Sequence, residues 1–562
     1  MRRLKTGLAA AASLAFVSAP TIAQGQAAAS FAWFEYRGDD NLPRPGAGQY
    51  ANPVLTGFYS DPSITRAGQD YYLVSSTFSF FPGLPVFKSR DLVHWRQIGN
   101  AIDRADMVDF AKLGLSRGLF APAIDHHDGV FSILNTCVDC GDNFIITATN
   151  PAGPWSKPTW LPDLAGGIDP SLFVDADGSA WIINNGPPVG EPRYDGHRAL
   201  WIQRFDRRSL RTFGPRTVLV DGGVRPEEKP IWIEGPHIFR KDGYYYLIAA
   251  EGGTAEGHSQ VVLRSRSVTG PYVPNPDNPI LTQRNLPRDR IRPITSAGHA
   301  DFVQTQAGEW WATFLAVRPY AGDLYNTGRE TFLMPVQWEN GWPRITKPGE
   351  AIPWVATKPR LPALRASPTT GPMRVREEFT RSALPVGWMM MRNPRSNWWS
   401  IAGGNLRLTP RAVSLGDNGN PSFVARRQQH QFATAETALL APPTRPGGEA
   451  GLAALQSDDY WYSLVATRGA DGQAVVQVKR RAGPAEGKNG VVLAQQRLAA
   501  GRGPIELRIR GRADRYDFEW RQGGAWRVLL ADADGTILST QKAGGFVGAV
   551  FGPYAYDPQG ET

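Results

Sequence analysis

The sequence of 562 residues is poor in cysteine and contains only two, in the segment Cys137-Val138-Asp139-Cys140. A CxxC segment can be half of a zinc site or a redox pair. Zinc needs further ligands at suitable spacing, and neither a second CxxC nor a nearby histidine pair supplies them. A structural disulfide, or two thiols without a further role, is therefore the favoured interpretation, with metal or redox chemistry as the alternative.

Long apolar runs are also scarce. The segment from Gly7 to Val17 is mostly apolar, but it is too short to span a bilayer, and no other stretch approaches membrane length. It follows the basic start Arg2-Arg3-Leu4-Lys5 and precedes small residues around Ala23, which is the pattern of a secretory signal. We predict that residues 1–26 are a signal peptide and that the protein is exported to the periplasm or the medium. An N-terminal amphipathic anchor is the alternative.

Basic clusters are missing as well. The formal net charge is +9, but the 61 Lys and Arg residues are interspersed with 52 acidic residues. No basic run is interleaved with aromatic side chains, so nucleic acid is not an expected partner.

Glycine and proline, by contrast, are abundant, with 60 and 46 residues, and hydrophobic residues make up 42% of the chain. This composition indicates many turns, few long helices and well-filled cores, which is typical of an all-β protein. The length predicts two domains.

A short pattern recurs five times between residues 57 and 320. Each copy is followed by a polar, Asp-Gly-type turn and an aromatic or apolar strand, which is the chemistry of a β-hairpin. Repeats at this spacing indicate a propeller, so we predict a five-bladed β-propeller over residues 45–355. The copies begin Ser60-Asp61-Pro62, Phe120-Ala121-Pro122, Ile168-Asp169-Pro170, Glu234-Gly235-Pro236 and Gly298-His299-Ala300.

The repeat ends near residue 353. The segment 356–372 is rich in proline and predicts a stiff, extended linker. Short alternating strands follow, so residues 373–562 are predicted to form a β-sandwich domain.

Three copies of the repeat carry a carboxylate near the same place: Asp61, Asp169 and Glu234. If equivalent positions converge on the propeller axis, these acids meet there. Glycoside hydrolysis needs two carboxyl groups, and a third nearby raises the pKa of the acid. The simpler interpretation is that Asp-Pro only starts a turn. Ala121 before Pro122 argues against it, because that turn forms without Asp.

Longer stretches around these acids resemble glycoside hydrolase family 43, and in particular its β-xylosidases and α-L-arabinofuranosidases. The resemblance covers about residues 45–350 and implies an inverting mechanism on a five-bladed propeller. It implies that Asp61 is the general base, Asp169 the pKa modulator and Glu234 the general acid. The stretches are Asn52 to Ser63, Gly167 to Phe173, Ile233 to His237 and Gly328 to Phe332.

The resemblance also assigns residues that bind the substrate. Arg329 matches an arginine that reaches the sugar hydroxyls, and His299 matches a histidine at the axis. Phe120 stands where relatives often have Trp and still offers a stacking face. Phe81 and Trp232 flank the first and fourth copies and are included among the candidate substrate-binding residues, with core packing as the equally open alternative for each.

Two further implications concern the cofactor and the C-terminal domain. No cofactor is expected to be required, and the resemblance allows a structural calcium ion at the propeller axis, which some relatives hold there through water. In family xylosidases a loop of the sandwich can close over the pocket, and the apolar, glycine-rich segment 544–552 is expected near the propeller.

The expected activity is exo-hydrolysis that releases xylose from the non-reducing ends of β-1,4-xylo-oligosaccharides. The nearest alternative is an α-L-arabinofuranosidase, or a dual enzyme acting on arabinose-decorated substrates. A retaining hydrolase of fructosides would start Asn-Asp-Pro-Asn, where this chain has Ser60-Asp61-Pro62-Ser63. A non-catalytic, sugar-binding propeller would not need all three acids.

Overall fold

The computed structural model describes residues 28–362, 369–499, 501 and 503–561, and almost every regular element in it is a β-strand. The predicted signal peptide and residues 363–368 of the predicted linker lie outside this part of the chain. The described helices are short: Pro162–Leu164, Pro226–Glu228 and Gly535–Leu538 are 3-10 turns, and Thr540–Ala543 is a single α-helical turn. Within these ranges no helix has the length and hydropathy that crossing a membrane requires.

The first domain is a propeller of five antiparallel sheets, which confirms the prediction of an all-β, five-bladed fold. Blade I comprises Ser63–Ala67, Asp70–Val74, Gly83–Ser89 and Arg96–Ile102; blade II comprises Gly118–Leu119, Ala123–His127, Val130–Val138, Asp142–Ala148 and Thr159–Trp160. Blade III comprises Ile168–Val174, Ala180–Gly186, Ala199–Asp206 and Arg211–Asp221; blade IV comprises Glu234–Lys241, Tyr244–Glu251, Ser259–Ser265, Val273–Pro274 and Leu281–Thr282. Blade V comprises Thr295–Gln304, Trp310–Val317, Glu330–Glu339 and Trp342–Arg344, and Gln49–Ala51 pairs with Val355–Thr357 beside it.

Aromatic side chains fill the spaces between neighbouring blades. Tyr72 of blade I meets Phe131 of blade II edge to face, with ring centroids 4.9 Å apart. Phe239 of blade IV contacts Phe302 of blade V at 5.5 Å. Burying a side chain of this size contributes about 1.5–3 kcal/mol, so the aromatic strands predicted after each turn hold the ring of blades together.

The repeated sequence pattern corresponds to a shared backbone geometry at the start of the innermost strands. Asp61, Asp169, Gly235 and His299 have φ angles of 53°, 54°, 58° and 55°. Left-handed backbone is tolerated best by Gly and, among other residues, by Asp and Asn. Because Gly235 occupies this position in blade IV, the acid of that blade, Glu234, stands one residue earlier.

The second domain is a sandwich of two eight-stranded sheets around one hydrophobic core. The first sheet comprises Trp399–Ala402, Asn405–Leu408, Ala29–Gly38, Phe432–Leu439, Ile505–Arg512, Arg515–Arg521 and Arg527–Asp534, with Met373–Glu377 paired to Ala29–Gly38. The second sheet comprises Val491–Arg497, Ala474–Ala482, Tyr460–Arg468, Glu449–Ser457, Val550–Tyr556, Ser422–Arg427, Met389–Met391 and Phe80–Phe81.

The two domains are interleaved along the chain. The strand Ala29–Gly38 precedes the propeller but lies inside the first sandwich sheet, where it pairs with Phe432–Leu439. The short strand Phe80–Phe81 leaves blade I and pairs with Met390 and Met391 at the edge of the second sheet. Sequence analysis assigned residues 29–38 to neither domain and residues 80–81 to the propeller alone.

A buried ion cluster also joins the domains. Arg318 of the segment after blade V's second strand donates to Asp40 at 2.6 Å and to Glu330 at 2.8 Å, and all three residues are buried. Glu330 in turn accepts a hydrogen bond from the backbone N–H of Gly57 at 2.7 Å. This cluster fixes the segment that leads to Asp61 and the residue that follows Arg329.

Candidate active site

The inner strands of the propeller converge on a cavity of about 480 Å³. Its wall includes all three predicted carboxylates, which come from blades I, III and IV. Asp61, Asp169 and Glu234 are only 5%, 6% and 8% exposed, so they lie at the closed end of the cavity. The structure therefore brings together three acids that are up to 173 positions apart in the sequence.

Asp61 is held as an ionised carboxylate. Arg329 donates to both of its oxygens, at 3.0 and 3.3 Å, and Ser76 donates through its hydroxyl at 2.5 Å. Burial works to raise the pKa of Asp61, but the charges of Arg329 and His299 and the hydrogen bonds of Ser76 and Ser60 outweigh it and lower the pKa.

Glu234 has the opposite electrostatic environment. Burial raises the pKa of its carboxyl group to about 8, and the like charge of Asp169 adds to the effect. The charge of His299 acts in the other direction without cancelling it. At neutral pH the cavity thus contains one carboxyl group that carries a proton and one that does not.

Asp169 lies next to Glu234 through the backbone of blade IV. Its Oδ2 accepts a hydrogen bond from the N–H of Gly235 at 3.0 Å, and Nε2 of His299 lies 3.3 Å from the same oxygen. A Cβ atom on Gly235 would lie 2.7 Å from the imidazole of His299, so only glycine fits between these groups. Asp169 is therefore fixed in orientation beside the acid.

The surroundings of His299 favour the protonated form of its imidazole. Burial alone would lower the pKa of His299, but its hydrogen bond to Asp169 and the nearby charges of Asp169, Asp61 and Glu234 raise the pKa to about 9. A protonated imidazole offers no lone pair for direct ligation, and a calcium ion held at the axis through water stays a prediction. Among the described residues no group of three or more His, Cys, Asp or Glu side chains is arranged to hold a metal ion.

Aromatic rings form one side wall of the cavity. Phe120, predicted to contact the sugar, lines it together with Phe78 and Phe546. Phe78 and Phe546 are stacked with centroids 5.7 Å apart, and Phe120 meets Phe546 edge to face at 5.6 Å. The guanidinium carbon of Arg329 lies 5.2 Å from the ring centre of Phe546. Such rings offer apolar faces to the C–H groups of a sugar.

Trp232 lines the other side of the cavity, as does its exposed neighbour Ile231. The guanidinium of Arg198 lies 4.7 Å from the centre of the Trp232 ring and is itself held by Asn185 at 2.7 Å. Trp232 is therefore positioned by a cation–π contact instead of being part of the core.

Phe81 is not part of the cavity wall, contrary to its assignment from the sequence. Its strand pairs with Met390 and Met391 of the sandwich, and this pairing turns the Phe81 ring into the core between blades I and II. It packs there with Leu84 and Val86 and is 6% exposed. Core packing is thus its role.

Sequence reasoning missed nine residues of the wall, which are Phe78, Arg117, Ala121, Val138, Ile168, Ile231, Gly253, Thr254 and Phe546. Phe546 belongs to the glycine-rich segment that was expected near the propeller, and its backbone N–H donates to the hydroxyl of Ser116 at 2.8 Å. Phe78 and Arg117 lie in loops, whereas Val138 ends the strand Val130–Val138. No local pattern in the sequence reveals that these residues meet at the cavity.

Comparisons with known proteins agree with this geometry. Residues 50–343 match the family described as Glycosyl hydrolases family 43, and residues 376–562 match the Beta xylosidase C-terminal Concanavalin A-like domain. The chain is 36% identical over 510 residues to the xylosidase/arabinosidase of Butyrivibrio fibrisolvens, covering 90% of this chain and 95% of that protein. It is 35% identical over 514 residues to the non-reducing end alpha-L-arabinofuranosidase BoGH43B of Bacteroides ovatus, covering 90% and 91%.

Solved structures show the same similarity over both domains. A GH43_12 protein retrieved from a capybara gut metagenome superposes with a TM-score of 0.87 at 34% identity, covering 95% of this chain and all of that one. The xylan beta-1,4-xylosidase from Bacillus halodurans C-125 superposes with a TM-score of 0.81 at 31% identity, covering 91% and 97%.

Proposed function

Since the chain belongs to glycoside hydrolase family 43, we propose that it is an inverting, exo-acting glycosidase that releases xylose from the non-reducing ends of β-1,4-xylo-oligosaccharides. This proposal rests on one observation: two carboxyl groups in one cavity are held in opposite protonation states. Asp61 is held ionised by Arg329, and Glu234 is held protonated by burial and by Asp169.

In the proposed reaction each carboxyl group moves one proton. Asp61 accepts a proton from a water molecule as the water oxygen attacks the anomeric carbon. Glu234 donates its proton to the glycosidic oxygen as the bond to the anomeric carbon breaks, so the second sugar leaves with a free hydroxyl. Asp169 takes no proton. It keeps the pKa of Glu234 high by its like charge.

The exo mode is supported by the depth of the acids. All three line the cavity and are at most 8% exposed, so we propose that the terminal sugar of a chain reaches them and an internal sugar does not. Arg329, which is buried and holds Asp61, also borders the cavity and is proposed to bind the hydroxyls of that sugar.

The stereochemistry of the first product tests this mechanism. A single displacement by water inverts the anomeric centre, whereas a covalent glycosyl-enzyme retains it. We expect a β-xyloside to yield α-xylose before mutarotation, observed by proton NMR of the fresh product. β-Xylose as the initial product would refute Asp61 as a base.

The second candidate is α-L-arabinofuranosidase activity, alone or with xylosidase activity. It is favoured by the activities for which two relatives are named, a xylosidase/arabinosidase and a non-reducing end alpha-L-arabinofuranosidase. The ratio of kcat/KM values for nitrophenyl β-xyloside and nitrophenyl α-L-arabinofuranoside decides between them. We expect the xyloside to be preferred.

We further propose that the enzyme acts after export. The support is the signal-like pattern of residues 1–26 together with the disulfide between Cys137 and Cys140, a bond typical of oxidising compartments. N-terminal sequencing of the protein recovered from the periplasm or the medium should show a start near residue 24 or 27. A mature protein beginning at Met1 would contradict this.

A further inference from the structure

A disulfide-closed turn forms part of the cavity wall on the side of blade II. Cys137 and Cys140 are bonded to each other, and Val138 between them lines the cavity. The two cysteines are only three positions apart. A loop this short removes little entropy from the unfolded chain compared with a long one, so the bond acts mainly on local geometry.

A series of contacts leads from this turn to the substrate cavity. Asp139, inside the turn, has a left-handed backbone with a φ of 63° and accepts a hydrogen bond from Nε of Arg117 at 2.6 Å. The guanidinium carbon of Arg117 lies 5.8 Å from the ring centre of Phe120. Arg117 and Phe120 both border the cavity.

The backbone links the same groups a second time. Leu119 and Gly118 pair with Cys137 and Val138, and the N–H of Phe120 donates to the carbonyl of Thr136 at 3.0 Å. These backbone hydrogen bonds therefore connect the turn with the segment that contains Arg117 and Phe120. A change in the conformation of the turn moves the ion pair and the aromatic ring together.

The exposure of these groups shows which part of a substrate they face. The side chain of Arg117 is 44% exposed, whereas the catalytic acids are almost fully buried. With the terminal sugar at the buried end, as the proposed function has it, the sugar beyond the scissile bond would lie at the mouth of the cavity beside Arg117 and Phe120.

We propose that the Cys137–Cys140 disulfide is a positioning element for the leaving-group sugar. It holds Asp139 so that the ion pair keeps the Arg117 guanidinium over Phe120, and in this way it sets the affinity of the cavity mouth for the second sugar of an oligosaccharide. This inference rests on the proposed function, because it assigns the occupant of the mouth as a sugar.

The test compares a variant without the disulfide, Cys137→Ala/Cys140→Ala, with Asp139→Asn, which keeps the disulfide and removes the charge from the ion pair. KM for xylobiose should rise about two- to fivefold in each, the range that loss of an exposed cation–π contact corresponds to. The kcat for xylobiose should stay unchanged, because the acids at the closed end are untouched. An unchanged KM in either variant would overturn the proposal.

The matched control is Asp128→Asn. Asp128 lies in the same blade, also has a left-handed backbone with a φ of 53°, and accepts from Arg207 at 3.0 Å, but it does not border the cavity. This variant should leave KM unchanged. A rise equal to that of Asp139→Asn would assign the effect to general loosening of blade II and overturn the proposal.

A double-mutant cycle separates positioning from stability. If the disulfide acts through Asp139, adding Asp139→Asn to the cysteine variant should not raise KM further, because both changes remove one contact. Additive increases would refute the link, as would a parallel loss of kcat and thermal stability in the cysteine variant without a change in KM.

A measurement made in the absence of sugar tests the positioning role of the disulfide separately from the proposed function. Hydrogen exchange over residues 115–124, measured by mass spectrometry, should be faster in the cysteine variant and unchanged in Asp128→Asn. Unchanged exchange in the cysteine variant would refute the positioning role. A wild-type enzyme that hydrolyses no xyloside would instead refute the proposed function.

Discussion

At the scale of single residues, Glu234 and Asp61 carry the same functional group in opposite protonation states. The difference comes from their neighbours, since both are buried. Two donors and a cation surround Asp61, whereas the charge with the largest effect on Glu234 is the carboxylate of Asp169, and the cations His299 and Arg329 do not outweigh it together with burial. Burial without a compensating cation favours the neutral form of an acid, and burial with one favours the charged form.

The role of Glu234 can be tested by changing the leaving group. Glu234→Ala should lower kcat on xylobiose by about 10²–10⁴-fold, the usual contribution of a general acid. Nitrophenyl β-xyloside should lose much less activity, because its leaving group departs without full protonation. Equal losses on both substrates, measured by steady-state kinetics, would argue that Glu234 is not the acid.

The pH dependence tests Asp169. Glu234 acts when protonated, so activity should fall as the pH rises through its raised pKa. Asp61 acts when ionised, so activity should fall at low pH only below its lowered pKa.

Asp169→Asn removes a like charge and should move the basic limb of the kcat/KM profile to lower pH. Loss of the Asp169 partner also lowers the pKa of His299, which offsets part of this shift but not its direction, because Asp169 affects Glu234 more strongly than His299 does. A basic limb that stays in place would count against Asp169 as the modulator.

At the scale of secondary-structure elements, local patterns predict strands and turns but not their distant partners. The five repeats could be read from the sequence because each hairpin carries its own turn and its own aromatic strand. The acids followed from the repeat, since equivalent positions in a ring of blades face one axis. No such rule exists for Phe80–Phe81, whose partner Met389–Met391 lies about 310 positions later. The assignment of Phe81 to the cavity was wrong for that reason.

The same limit explains why Phe546 could be expected only as part of a segment. The loop that carries it is held by long-range contacts: Gln456 donates to the carbonyls of Gly544 and Val547, and Ser116 accepts from the N–H of Phe546. These partners are between 88 and 430 positions away. Only the folded chain brings them together.

Because the sandwich loop places Phe546 in the cavity wall, we expect a substitution of Phe546 to change kcat/KM. Phe546→Ala removes a ring that contacts Phe78, Phe120 and Arg329 and opens the cavity wall to water. Aromatic pairs contribute about 0.5–1.5 kcal/mol each beyond buried area, so kcat/KM should fall about tenfold. The thermal midpoint should also fall, but modestly, because the ring contacts are lost while the loop backbone keeps its hydrogen bonds. Unchanged kinetics would show that the sandwich does not complete the site.

At the scale of the whole molecule, the ion cluster of Arg318, Asp40 and Glu330 connects the strand before the propeller with blade V. Arg318→Met leaves two buried carboxylates without a cation, which should destabilise the protein by about 3–5 kcal/mol. Arg207→Met is the matched control, because it removes the ion-pair partner of the exposed Asp128 and should cost about 0–1 kcal/mol. Urea unfolding measures both, and equal shifts of the midpoint would contradict a structural role for the cluster.

The interleaving of the domains predicts that neither folds alone. Removing residues 373–562 would take away the sheet partners of Ala29–Gly38 and Phe80–Phe81. It would also expose the apolar cluster in which Phe58, Phe78 and Leu115 of the propeller pack against Met389, Phe423 and Val547 of the sandwich. A chain ending near residue 360 should therefore be insoluble or inactive, even though it retains all three acids.

The control is a second truncation that also lacks residues 28–40, because an unpaired N-terminal strand is itself a cause of aggregation. This shorter chain should be insoluble or inactive as well. If either truncated protein stays soluble with full activity on nitrophenyl β-xyloside, the propeller is an independent catalytic domain and the shared core is not needed for the site.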